Sequence, residues 1–265
     1  MMIIKVPVEN SNDALGCRKA PNEIITNLDE IYTAENGKQI VKNSLEIEEI
    51  EVNGKTVQDV SEEIYGCALD KISNETKTIF IGGDHSISYS IGKAFFDVCE
   101  SENDRPFLII FDAHPDCRSY ENNADNIQWL RKLIDDGFPK DKVIIIGIRK
   151  SSLEENDFLI TNKIRVYQMK DLNDFEEICD IVMEQANKFQ LYVSIDIDVV
   201  DSVFVPGTSR PESGGLTSRQ LVYFIQRINM LKGLRVIDIC EINPDKDFNS
   251  VTVKLGAKLL GEILS

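Results

Sequence analysis

The chain has 265 residues, of which 42% are hydrophobic and 28% charged, and a formal net charge of -16. Its length suits one large α/β domain over residues 1–265, and its apolar fraction is ordinary for a globular protein. The negative balance excludes nucleic acid as a partner, because a polyanion is repelled. No apolar run reaches the length of a membrane span and Met1 to Val8 is too short for a signal peptide, so no membrane association and a cytoplasmic location are expected.

In chain order, a β-branched run at Ile3 to Val8 predicts a strand. Leu45 to Val52 alternates apolar residues with acids and ends at Asn53-Gly54, which predicts a strand towards a sheet edge followed by a tight turn. Further strands are expected at Thr78 to Ile81, Phe107 to Phe111, Val143 to Ile148, Ile164 to Tyr167, Leu191 to Ile197 and Leu234 to Ile242. Helical spacing of apolar residues marks Ser61 to Ser73, Ser86 to Cys99, Asn126 to Asp136, Leu172 to Lys188, Ser218 to Leu231 and Val251 to Leu264, with Ser86, Asn126 and Ser218 as N-caps. Strands alternating with helix-length segments predict an α/β fold with a mainly parallel sheet. Cys17, Cys67, Cys99, Cys117, Cys179 and Cys240 show no CxxC pairing, and no disulfides are expected.

The chemistry sits at strand ends, where open α/β sheets bind ligands. Gly82-Gly83-Asp84-His85-Ser86 follows one strand, Asp112-Ala113-His114-Pro115-Asp116 a second, and Asp196-Ile197-Asp198 closes a third. Residues two apart in a strand share a face, so Asp112, His114 and Asp116 can converge, as can Asp196 and Asp198. Each residue alone has a structural reading, as a core histidine or a capping aspartate. Taken together, the chain's two histidines and four nearby aspartates read as a cage in which two divalent cations cancel the carboxylate charge. An oxygen-rich set with one imidazole per ion suits Mn²⁺ better than Zn²⁺.

These motifs, with SIDIDVVD at 194 to 201, PGTSRPESGGLT at 206 to 217 and Glu241-Ile242-Asn243-Pro244, resemble the ureohydrolase family of arginase, agmatinase, guanidinobutyrase and formimidoylglutamase. The resemblance implies a three-layer α/β/α sandwich, assembled into trimers or hexamers, with two Mn²⁺ per chain bridged by a hydroxide. It places His85 and Asp116 on one metal and His114 and Asp198 on the other, with Asp112 and Asp196 bridging. It implies that the hydroxide, oriented by Asp116, attacks the guanidinium carbon of a small cationic substrate held by Glu241, releasing urea and an amine. Agmatine to putrescine, a step of polyamine metabolism, is the favoured reaction; arginase, guanidinobutyrase or formimidoylglutamase activity, or metal binding with little catalysis, are the alternatives.

The chain departs from the family pattern near the substrate. Many members carry a further histidine after the second motif; here Asn126 stands in its place, and its amide cannot titrate. The loop from Cys117 to Asp125 is short and lacks the Ser/Asn-rich stretch that reads an amino acid's α-substituents in arginases, which favours agmatine. Arg210 replaces a usual threonine and can pair with a substrate carboxylate, so Arg210 and Asn126 join Glu241 as candidate substrate contacts.

Overall fold

The computed structural model describes residues 1–120 and 125–265. Its strands are β1 (Met2–Val6), β2 (Glu46–Glu49), β3 (Thr78–Gly82), β4 (Pro106–Phe111), β5 (Val143–Ile148), β6 (Arg165–Gln168), β7 (Gln190–Asp196) and β8 (Leu234–Cys240). They form one eight-stranded sheet in the order β2-β1-β3-β8-β7-β4-β5-β6, and every neighbouring pair is parallel. The helices are α1 (Ala20–Leu28), α2 (Val57–Asn74), α3 (Ile87–Glu102), α4 (Trp129–Asp135), α5 (Leu153–Asn162), α6 (Phe175–Ala186), α7 (Ser218–Ile228) and α8 (Val251–Ile263).

The pleat sends alternate strand residues into two separate cores. Phe107, Ile109 and Phe111 of β4 pack with α1, α6, α7 and α8, whereas Leu108 and Ile110 pack with α2, α3, α4 and α5. Helices therefore cover both faces, which explains why β3, β4 and β5 are buried at every position. The edge strand β2 is exposed throughout, in line with its acid-alternating sequence. The turn after it, with Gly54 at φ 72°, leads into α2 behind a Thr56–Asp59 capping box.

Two helices, α1 and α5, lie where the sequence pattern gave no helix, and two of the expected caps fall elsewhere. Thr217, not Ser218, caps α7, through a reciprocal box with Gln220. Gln128 holds the N-cap position of α4 and Asn126 turns its side chain to Glu241, while Ser86 occupies the N-cap of α3 without a side-chain bond to the helix. The six thiols are free and five of them are buried. Among the described residues no helix is long and apolar enough to cross a membrane.

One glycine fixes how β1 meets the segment after β3. A Cβ on Gly83 would lie 1.8 Å from the Val8 carbonyl oxygen, and Asp84 N–H donates to that same oxygen at 3.0 Å. Gly83→Ala should destabilise the protein by about 1–3 kcal/mol, the usual cost of overpacking. Urea unfolding checks this, and an unchanged midpoint would show that the loop yields freely.

Candidate metal centre

Four neighbouring strands, β3, β8, β7 and β4, deliver the site from their carboxyl ends. His85 lies just beyond β3 and Glu241 directly follows β8. Asp196 ends β7 with Asp198 two residues on, and Asp112, His114 and Asp116 follow β4. All seven are at most 4% exposed.

Strand alternation is not what brings the aspartates together, contrary to the expectation from sequence. β4 stops at Phe111, and the next residues form a turn in which His114 N–H donates to Asp112 Oδ1 at 2.6 Å and Asp116 takes φ 47°. Asp198 stands in a 3-10 turn, where its N–H donates to Asp196 Oδ1 at 2.8 Å, and Ala113 N–H donates to Asp198 Oδ1 at 3.0 Å. Asp112, Asp196 and Asp198 thus each spend one oxygen shaping the backbone and turn the other inward.

Among the described residues, two groups place ligand atoms within 4.8 Å of one another: His85, Asp112, Asp116 and Asp196, and Asp112, His114 and Asp198. His85 Nδ1 faces Asp116 Oδ2 at 3.1 Å, Asp112 Oδ2 at 3.2 Å and Asp196 Oδ2 at 3.4 Å. His114 Nδ1 faces Asp198 Oδ2 at 2.9 Å and Asp112 Oδ1 at 3.5 Å. Asp112 belongs to both groups, whereas Asp196 belongs to the His85 group alone. Asp112 Oδ2 and Asp116 Oδ1 are buried without a hydrogen bond, a costly arrangement that two oxygen-preferring divalent cations would relieve. The donor set fits such ions.

The charge balance points the same way. Burial alone would depress both imidazoles, but Asp112, Asp116 and Asp196 outweigh it and hold His85 well above the usual histidine range. Against the same burial, Asp112 and Asp198 push His114 up to about 11. Burial, with Asp198 and Asp112, raises Asp196.

Glu241 faces the centre from β8. Its backbone is held at φ 63°, a strained conformation for a residue with a side chain. Oε1 accepts His85 N–H at 2.9 Å and Asn126 Nδ2–H at 3.3 Å, and Cys17 Sγ lies 4.0 Å from Oε2. Burial and the Asp84 carboxylate push Glu241 up to about 7. Arg210 is half-buried with Nη1 3.9 Å from Asp116 Oδ1, so it stands at the centre and not in free solvent. Residues 121–124 of the Cys117 to Asp125 loop, expected to lack the stretch that reads an amino acid's α-substituents, lie outside the described residues.

Several residues that shape the site escaped the sequence pattern. Asp84 accepts Ser86 N–H at 3.1 Å and is bonded by Asn10 N–H, which fixes the turn carrying His85. Trp129 packs its ring 4.9 Å from that of His85. Arg149 donates to the carbonyls of Asp198 at 2.6 Å and Glu212 at 2.9 Å, clamping the Asp198 turn to the Arg210 loop. Cys17, far away in sequence, reaches Ser209 Oγ at 3.0 Å beside Glu241. The PGTSRPESGG motif pointed to the loop but not to its clamp.

Because a ligating imidazole must be deprotonated, a cation entering this cluster displaces protons. Below the raised pKa of about 11, His114 carries a proton, so Mn²⁺ affinity should rise with pH across roughly pH 6 to 8. Titration calorimetry in buffers of different ionisation enthalpy should count a net proton release; a count of zero would contradict this electrostatic reading.

The model of the arginase family matches residues 1–265. An agmatinase from Pyrococcus horikoshii is 34% identical over 184 residues, covering 69% of this chain and 60% of the relative. A guanidinobutyrase from Pseudomonas aeruginosa is 32% identical over 193 residues, covering 69% and 58%. The chain spans about three fifths of the length of the curated relatives it matches. Among solved structures, formimidoylglutamase from Bacillus subtilis superposes with a TM-score of 0.87 at 25% identity, over 99% of this chain and 85% of that one. The chain belongs to the arginase family, whose members are hydrolases acting on amidine and guanidino C–N bonds.

Proposed function

We propose that residues 1–265 act as one domain and hydrolyse a C–N bond of a small linear guanidino compound, releasing urea and an amine. The observation that carries this reading is the placement of Glu241, buried and 2.9 Å from His85 N–H, beside two adjoining His/Asp groups. His85 and Asp116 would hold one Mn²⁺ and His114 and Asp198 the other, with Asp112 and Asp196 between them. Two such ions, when bound, lower the pKa of water so that a nucleophile exists near neutrality. The protein's own groups do the rest. Glu241 holds the cationic head, Asn126 steadies the Glu241 carboxylate, and Asp116 orients the nucleophile. With an amide in place of a histidine, the departing amine takes its proton from Asp116 or from solvent. A homo-oligomer, trimer or hexamer, is the assembly that accompanies this reading.

Agmatine is the substrate favoured by the negative centre, where four carboxylates balance two ions and Glu241 adds a further charge. One observation supports a second reading. The Arg210 guanidinium, 3.9 Å from Asp116, opposes a second cation and suits a guanidino compound that also bears a carboxylate. Urea or formamide release from agmatine, arginine, guanidinobutyrate and formiminoglutamate, with Mn²⁺, tests both. No product above a His114→Ala control would end the hydrolase reading. Arg210→Thr should lower KM for agmatine severalfold if agmatine is the substrate, and should raise KM for the acids by about tenfold or more if they are.

Two substitutions separate the ion-holding from the substrate-holding groups. Asp112→Asn should cost the protein both ions, read as Mn²⁺ per chain by elemental analysis, and retention of two would refute the shared role. Glu241→Gln should weaken cationic substrates while leaving Mn²⁺ content at two per chain.

A further inference from the structure

Behind His85, on the side away from the carboxylate cluster, lies a buried polar knot that the proposed reaction does not use. Ser88 of α3, Tyr192 and Ser194 of β7 and Asp238 of β8 are all 0% exposed. Ser194 and Asp238 are direct cross-strand partners in the middle of the sheet. Asp238 Oδ1 accepts Ser194 Oγ–H at 2.9 Å and the Cys240 thiol at 3.4 Å; Oδ2 accepts Ser88 Oγ–H at 2.9 Å and the Tyr192 hydroxyl. An acid at the centre of an α/β core is costly, and four donors converge to hold it there.

Proton counting gives this knot a direction. A serine hydroxyl has one proton to donate. For Ser194 the Asp238 carboxylate at 2.9 Å is a stronger and nearer acceptor than Ser88 Oγ at 3.4 Å. Ser194 Oγ is then left with lone pairs for His85 Nε2, which lies 2.9 Å away, so Nε2 must carry the ring proton. The lone pair of the neutral imidazole falls on Nδ1, the atom facing Asp112, Asp116 and Asp196. His114 has no such tether: its Nε2 makes no hydrogen bond, and Glu212 Oε1 stands 3.5 Å off.

We propose that Asp238 is a positioning residue, acting through Ser194 to hold His85 in the Nε2–H tautomer with Nδ1 presented to the cation. The proposal rests on the metal-centre reading above. It is tested on the full chain by Mn²⁺ binding and by ¹⁵N-histidine NMR of the protein loaded with diamagnetic Zn²⁺. Only two imidazoles contribute to that spectrum.

Wild type should show an Nε2 proton protected from solvent exchange on one histidine, and Ser194→Ala should remove the protection. Ser194→Ala should also weaken one of the two Mn²⁺ ions by about tenfold or more, as losses of outer-shell partners typically do. Asp238→Asn should weaken the same ion. Ser88→Ala, which removes a hydroxyl from the same knot without touching His85, should bind Mn²⁺ as wild type does. Equal weakening by Ser88→Ala and Ser194→Ala would reduce the knot to a structural role. Wild-type affinity in Ser194→Ala or in Asp238→Asn would overturn the proposal, and so, even if no variant folds, would a wild-type His85 without a protected Nε2 proton. Fewer than two ions on the wild type would instead sink the metal-centre reading beneath it.

Discussion

The structure is organised around four aspartate carboxylates buried within reach of one another. Asp112, Asp116, Asp196 and Asp198 are each at most 4% exposed, and no arrangement of apolar neighbours can make that cheap. The chain compensates in two layers. Backbone N–H groups of Ala113, His114 and Asp198 each donate to a carboxylate oxygen, which sets the turns. The oxygens that remain, with the two imidazoles, form a concave negative surface whose natural complement is a pair of divalent cations. The raised imidazoles report the same pressure, since a proton on each ring is a weaker substitute for an ion.

The order of strands makes this concentration of charge possible. The chain lays down β3 and β4 consecutively yet leaves space between them that β8 and β7 fill later. Four strand ends separated by up to more than half the sequence therefore open onto one crevice, the place where parallel sheets take ligands. Peripheral strands carry no part of it. Arg149, just past β5, reaches back to it, and does so by donating to backbone carbonyls and not to the carboxylates. Its role follows from burial: the turns bearing Asp198 and Arg210 expose carbonyls that need donors, and a guanidinium can serve several at once.

What the sequence disclosed and what it hid divide along physical lines. Buried strands announce themselves as β-branched runs, and both histidines and all four aspartates stand next to such runs, so the cluster could be named from one chain. Its mechanism of convergence could not, because alternation along a strand and an aspartate turn just beyond it leave similar spacings. Helix α5 was hidden because its apolar face is short, with Phe158 and Leu159 its only buried apolar residues, although the Ser152–Glu155 capping box marks its start. Helix α1 buries Ala20, Ile24 and Leu28 at helical spacing, but it is only 9 residues long and opens at Ala20-Pro21 without a side-chain cap to mark its start. Cys17, Trp129 and Asp238 were out of reach for a different reason: each acts on the site through contacts that only the folded chain creates.

The surroundings of Glu241 show how the fold absorbs a residue other than the one expected. Asn126 stands where the resemblance led to the expectation of a histidine, and the fold uses it at once, with its amide donating to Glu241 Oε1 at 3.3 Å. Burial and Asp84 already push Glu241 up to about 7, so a neutral donor at that distance favours its charged form without adding a cation beside it. A histidine there would add a titratable charge next to that carboxylate. Arg210 places its positive charge against Asp116 instead, with Nη1 3.9 Å from Oδ1. Position 126 is thus neutral while the cation stands at position 210. An amide cannot transfer a proton, so what it supplies at 126 is orientation of the Glu241 carboxylate.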